Sequence, residues 1–239
     1  MGHIALEVDG ARVAFTDRHG GVSIPPYDTA NLGFATGDDA AAVTENRRRV
    51  AYELGDAADA RGWAWVRQVH GAGVVEVDAP GGGGDGDALV TVGTGVSLVV
   101  LAADCASIAL VADGAVAAVH CGWRGLVAGV LEAAVRVVRG RGGRPVRAVI
   151  GPCISAAHYE FGSGELDQVT RRLGTAVGGR TESGGLALDL RAGVGVALAS
   201  AGVDDRTDVD VCTFASDDYF SHRRDGVTGR QALIVGRPR

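Results

Sequence analysis

Aromatic side chains are scarce in this chain of 239 residues, at 5% of the total, so its core has to be assembled from Val, Ala and Leu. Basic charge is also short: 23 basic residues against 29 acidic ones leave a net charge of −6. That deficit argues against nucleic acid or an anionic membrane as a general partner, because both reward a basic surface. A local basic pocket for a small anion stays compatible with it. No apolar run is long enough to cross a bilayer. No basic segment followed by an apolar stretch opens the chain, so no secretory signal is expected and the expected location is the cytoplasm. The four cysteines are then read as thiols or ligands rather than as a disulfide framework. Internal repeats are missing, and the one low-complexity stretch, Gly81–Gly84, is too short for a domain linker and reads as a surface loop. The expectation is a single domain over residues 1–239, long enough to bury a core without disulfides.

What is present is an irregular alternation of strand and helix signals, with 38 glycines marking tight turns between them. Arg12–Thr16 reads as a strand entering the loop Asp17–Pro26. Asp38 or Asp39 caps a helix running to about Leu54, with Gly55 as its stop. Strands are expected at Ala64–Gln68 and Val74–Val77, and the continuous apolar runs Ala88–Thr91, Ser97–Ala102 and Val116–Val119 read as strands buried on both faces. One helix is expected from about Gly125 to Arg139, where Val127, Leu131, Ala134, Val135 and Val138 fall at helical spacing. A strand at Val146–Ile150, helices near Gly164–Leu173 and Leu190–Ala201, and strands at Asp208–Cys212 and Gln231–Val235 complete the pattern. Interleaved but irregular elements imply an α/β protein of the α+β type: a mixed β-sheet core covered by helices in a layered sandwich.

No compact metal motif such as HExxH or paired CxxC occurs. Three potential ligands nevertheless stand at strand ends: His70 in Gln68-Val69-His70-Gly71, Cys105 in Ala103-Asp104-Cys105, and His120 ahead of Gly122-Trp123-Arg124-Gly125. Strand ends are where loops leave a crevice for function. Two imidazoles and a thiolate suit zinc, and three protein ligands leave a fourth position open. Cys121 adjoins His120 but points to the opposite face of its strand, toward the core. Cys153 and Cys212 also lie near strand ends and stay open as alternatives on spacing. The plain reading is a buried cysteine serving as a small hydrophobe and two loop histidines bonded to backbone.

Arg47 shares a helical stripe with Val43, Val50 and Leu54. A buried arginine must be paired or face a cavity. It either binds an anion such as phosphate or packs its stem while the head reaches solvent, and the residues alone favour the second. Asp85 and Asp87 precede a buried strand, where either could orient a ligand histidine, although turn-capping aspartates are commoner. Arg124 could steer an anion. Ser221–Gly226 could line a pocket rim, but a solvated hairpin is the commoner reading. His158 reads as structural.

Taken in order, Arg18-His19-Gly20-Gly21-Val22-Ser23, Pro26-Tyr27 with Asn31-Leu32-Gly33, Glu45-Asn46-Arg47 and the QVHG segment at His70 form a recognisable set. Asp87-Ala88-Leu89-Val90-Thr91, the ADC segment at Cys105, Ala118–Gly125, Ile150–Ile154 and Phe220–Asp225 extend it from about Phe15 to Ile234. Together they resemble the YfiH-like polyphenol oxidase/laccase-domain family, regarded as purine nucleoside phosphorylases with adenosine deaminase activity. Two departures are visible: Ser107 where proline is usual, and Cys121 where alanine is common.

The resemblance implies one zinc ion on His70, Cys105 and His120, phosphate binding at Arg47 with Arg18 or Arg124 assisting, and Asp104, Asp87 and His19 as candidates for the general acid/base. It implies purine nucleosides (adenosine, inosine, guanosine, methylthioadenosine) and phosphate as small-molecule partners, free base and ribose 1-phosphate as products, and deamination through zinc-activated water. Copper is the alternative ion that the laccase label would need, yet no multicopper His-x-His pattern is present. Rival readings are a Cys-His hydrolase with Cys105 as nucleophile and His120 as base, an editing hydrolase for a UDP-MurNAc peptide in peptidoglycan synthesis, and a non-catalytic binding module. The residues carry no signal for oligomeric state.

Overall fold

The computed structural model describes residues 2–55 and 59–238. In chain order its first strands are β1 (His3–Val8), β2 (Ala11–Thr16), β3 (Trp63–Arg67), β4 (Val74–Glu76), β5 (Gly81–Asp85), β6 (Ala88–Thr91) and β7 (Ser97–Ala102). They are followed by β8 (Ala106–Val111), β9 (Val116–Cys121), β10 (Arg147–Ile150), β11 (Gly178–Arg180), β12 (Leu186–Leu188), β13 (Arg206–Asp208) and β14 (Gln231–Gly236). Helices are α1 (Ala40–Glu53), α2 (Trp123–Ala128), α3 (Val130–Gly142), α4 (Ser163–Leu173), α5 (Leu190–Ser200) and the short turn α6 (His222–Asp225).

The strands form two six-stranded mixed sheets, ordered β1-β2-β14-β7-β3-β5 and β13-β10-β8-β9-β6-β4, with β11 and β12 as a separate pair. Val13, Phe15, Leu98, Val100, Leu233 and Val235 of the first sheet pack against Ala109, Val111, Val116 and Ala118 of the second. The far face of the second sheet, with Ile108, Leu110 and Val119, is covered by Leu126, Leu131, Val135, Val169 and Val194 of the helices. On the opposite side, Val50 and Ala51 of α1 cover Trp63, Val99 and Ile234 of the first sheet. The result is four layers, helix on sheet on sheet on helix. Burial on both faces explains why β8 and β9 are apolar at almost every position. No helix among the described residues is long and apolar enough to cross a membrane.

The mixed sheets and covering helices agree with the architecture read from the sequence; several local elements do not. Gly81–Gly84 is not a surface loop. It opens β5, which pairs in parallel with β3 through Ala64 and Trp65. Backbone hydrogen bonds need no side chains, and Gly81 and Gly84 take φ of 128° and 82°, which side chains rarely tolerate. The helix expected from Gly125 to Arg139 is two helices, broken at Gly129 (φ 85°), whose N–H donates to Leu126 O in a C-terminal cap. The strand expected at Asp208–Cys212 lies earlier, as β13, because Asp210 turns with φ 53°; Cys212 only bridges Cys153. Ser221–Gly226 is not a hairpin: Ser221 caps α6 by accepting from the Arg224 N–H. Four further strands, β1, β8, β11 and β12, have no counterpart in the sequence reading.

Pairing fixes where the sheet ends lie. Trp63 is opposite Ser97 in the parallel pair β3–β7, so both strands finish at the same end of the first sheet. Ala106 is opposite Cys121, so β8 starts beside the end of β9 in the second sheet. Residues 103–105 carry the chain from one sheet to the other at that end.

Candidate metal centre

His70 lies just beyond β3, Cys105 is the last residue of the crossing from β7 to β8, and His120 is the penultimate residue of β9. Their ligand atoms lie within 4.8 Å of one another, and among the described residues this is the group of three His, Cys, Asp or Glu side chains able to hold a metal ion. The two imidazoles are perpendicular, with ring centroids 4.9 Å apart. His120 is buried, Cys105 half-buried and His70 exposed, so the group opens from the core toward solvent. Gly122 makes the approach possible: a Cβ there would stand 3.0 Å from Cys105 Sγ and 3.0 Å from His70 Cδ2.

Asp87 organises two of the three candidate ligands. It is fully buried just ahead of β6. Its Oδ1 accepts from His120 Nδ1 at 2.8 Å and from the His70 N–H at 3.0 Å, and its Oδ2 accepts from the Gly71 N–H at 2.7 Å. Its carbonyl also accepts from the His120 N–H at 2.7 Å. Because a carboxylate only accepts, Nδ1 of His120 carries the proton and Nε2 is left to ligate. Burial works against the Asp87 charge, but His120 and the backbone N–H groups of Gly71 and Val69 outweigh it and lower its pKa. Burial likewise opposes a Cys105 thiolate, yet His120 and His70 bring its pKa down to about 6. His120 rises to about 9 despite burial, through Cys105 and Asp87. The donor set therefore fits a thiolate-binding divalent cation, whose binding would favour the deprotonated thiol and a neutral imidazole.

The other cysteines stand apart. Cys121 packs into the helix-side core, where burial raises its pKa well above the ordinary thiol value. Cys153 is pushed up to about 12, chiefly by burial. Cys212 Sγ accepts from the Ser155 N–H at 3.3 Å and hydroxyl at 3.2 Å. Asp104, next to the thiol ligand, has φ 91° and a buried carboxylate. Its Oδ1 accepts from the Thr213 hydroxyl at 2.7 Å and its Oδ2 from the Arg223 N–H at 2.6 Å.

Arg47 is buried, and it does not send its head to solvent. Its Nε donates to Leu32 O at 2.9 Å, and its guanidinium lies 4.4 Å from the Phe34 ring centroid and 5.6 Å from that of Trp65. Burial lowers its pKa to about 10. Arg18 donates to Asp28 O at 2.9 Å and lies over Phe220; Arg124 is exposed and lies over Trp123. His19 Nε2 meets Asp218 Oδ1 at 2.9 Å on the surface. Asp87 is thus joined to the metal group and Asp104 flanks it, while the three arginines and His19 keep separate partners. His158 stacks on Phe214.

Sequence reasoning passed over an aromatic row that starts beside Gly122. Trp123 meets Phe161 edge-on at 5.5 Å, Phe161 meets Tyr159 at 5.2 Å, and Arg223 lies 4.9 Å over the Tyr159 ring. Burial and then the nearby Cys105 charge raise the Tyr159 pKa. With so few aromatics in the chain, their clustering was the available signal.

Residues 12–238 match a family model described as multi-copper polyphenol oxidoreductase laccase. A purine nucleoside phosphorylase of Streptomyces coelicolor is 46% identical over 236 residues, covering 95% of this chain and 96% of its own length. One from Streptomyces griseus is 44% identical over 246 residues, covering 98% and 97%. The crystal structure of YlmD from Geobacillus stearothermophilus superposes with a TM-score of 0.89 at 33% identity, covering 96% of this chain and 93% of that one.

Proposed function

The chain belongs to the multi-copper polyphenol oxidoreductase laccase family, and from that membership we propose that it is a zinc-dependent purine nucleoside phosphorylase with adenosine deaminase activity. Two facts support this reading. Relatives bearing the phosphorylase name match nearly the whole chain, and His70, Cys105 and His120 converge within 4.8 Å with one side toward solvent. The second observation carries the proposal, because three ligands with an open side are what metal catalysis requires of a protein. We place the activity in the cytoplasm and in one domain spanning residues 1–239.

In phosphorolysis a phosphate oxygen bonds to C1′ of the ribose, the C1′–N9 bond breaks, and its electron pair leaves with the base, which takes up a proton. Arg47, aided by Arg18 or Arg124, holds the phosphate and neutralises charge around a transition state of oxocarbenium character. His70, Cys105 and His120 would hold the zinc ion, which when bound would supply the Lewis acidity that deamination needs. Asp87 keeps His120 in the tautomer that presents Nε2 and holds the His70 loop by its N–H groups. Of the remaining groups considered for moving the proton, His19 is on the surface with Asp218, and both carboxylate oxygens of Asp104 already accept hydrogen bonds. Copper is the alternative ion, since two imidazoles and a thiolate also suit it. A multicopper oxidase needs further ligand clusters beyond this one.

The test is incubation of metal-analysed protein with adenosine, with and without phosphate. Adenine and ribose 1-phosphate are expected when phosphate is present, and inosine when it is not. A zinc-loaded sample that yields neither product contradicts the proposal. One observation favours a second reading: the lowered Cys105 and raised His120 pKa values also suit a Cys-His hydrolase. Zinc stoichiometry separates the two, because a metal-bound thiolate is not free to attack.

A further inference from the structure

Four non-glycine residues among those described adopt positive φ: Asp9, His70, Asp104 and Asp210. Two of them belong to the ligand segments of the metal group. Backbone held in a sparsely populated region persists only where its surroundings over-determine it. For His70 the surroundings are the N–H groups bound by Asp87. For Asp104 they come from far along the chain: Thr213 Oγ1 and the Arg223 N–H occupy one carboxylate oxygen each, and the Asp104 carbonyl accepts from the Ile154 N–H at 3.0 Å. Thr213 is fully buried, so its hydroxyl has no water to turn to. With both oxygens engaged by donors, the carboxylate is poorly placed to take a proton from substrate.

We propose that Asp104 is a positioning residue rather than an acid/base: anchored at Thr213, Arg223 and Ile154, it fixes the turn that aims Cys105 Sγ at His70 and His120. The proposal rests on the metal reading of that triad. It assigns the two buried aspartates parallel tasks, Asp87 on the imidazoles and Asp104 on the thiolate. It also ties the thiolate ligand to the segment from Thr213 to Arg223, whose last residue covers Tyr159.

The test compares wild type, Asp104→Asn and Thr213→Val by chelator competition for zinc and by the sulfur-to-metal charge-transfer band of the cobalt(II) forms. An asparagine amide turns N–H donors toward donors, so Asp104→Asn is expected to weaken zinc binding about 10–100-fold, the usual outer-shell effect, and to weaken or shift the band. Thr213→Val removes one hydrogen bond and is expected to weaken binding several-fold. Should either folded variant lose thermal stability alone, with zinc affinity within about twofold of wild type and an unchanged band, Asp104 merely stabilises the fold and the proposal fails. If Asp104→Asn does not fold, Thr213→Val decides by the same criteria. Wild-type protein that binds neither ion instead overturns the metal reading itself.

Discussion

His70, Cys105 and His120 sit on the ends of strands from both sheets, tied by buried carboxylates and backbone N–H groups. Arg18, Arg47 and Arg124 sit on a loop, a helix stripe and a helix start, and each lies against a different ring. The first region is built from paired strand ends and buried hydrogen bonds; the second consists of cations lying against aromatic faces. The chain contains no lysine, so every basic side chain is an arginine. A guanidinium can stack on a ring while its fork of N–H donors stays available to an anion. The difference suits the two tasks proposed for them: a metal needs its ligands at set distances, whereas a charged substrate can be met by side chains that retain spare donors.

Breaking the first region should have the largest consequence. Cys105→Ala is expected to lose zinc on purification and to lower deamination more than about a hundredfold, since even outer-shell changes cost ~10–100-fold; metal analysis and inosine formation read both. Asp87→Asn comes next, with zinc affinity down about 10–100-fold by chelator competition, because the amide loses the charge that supports His120 and turns an NH2 toward N–H donors on one of its two sides. Arg47→Ala probes the second region. The KM for phosphate is expected to rise roughly tenfold, the scale of one charge-assisted hydrogen bond, while phosphate-independent deamination keeps its rate. Equal loss of both activities would assign Arg47 to the fold. Gly129→Ala touches neither region and should cost about 1 kcal/mol in chemical denaturation, by forcing a Cβ into positive φ.

How much of this was legible in the sequence differs between the same two regions. The apolar runs at β6, β7 and β9 and the cap at Asp39 declared themselves by pattern. The glycine run did not, because β5 is held through its backbone, which leaves no side-chain period to read. Gly129 sat inside an unbroken helical stripe that masked the break between α2 and α3. At the site, the three candidate ligands are remote in sequence; their strand-end positions offered them as a group with Cys153 and Cys212 still open, and the family resemblance narrowed the set. Asp87 was visible as one of two aspartates before a strand, but its bond to His120 depends on the β6–β9 pairing. Thr213 carried no signal at all, since its relation to Asp104 exists only once the chain has crossed back over the second sheet.

The account turns on one cation held jointly by two imidazoles and a sulfur. Anomalous diffraction from crystals of the purified protein, recorded on both sides of the zinc absorption edge, tests this most directly. A single peak within bonding distance of His70, Cys105 and His120, present above the edge and lost below it, is the predicted result. A peak elsewhere, several copper peaks, or well-ordered ligands with no peak between them would contradict it.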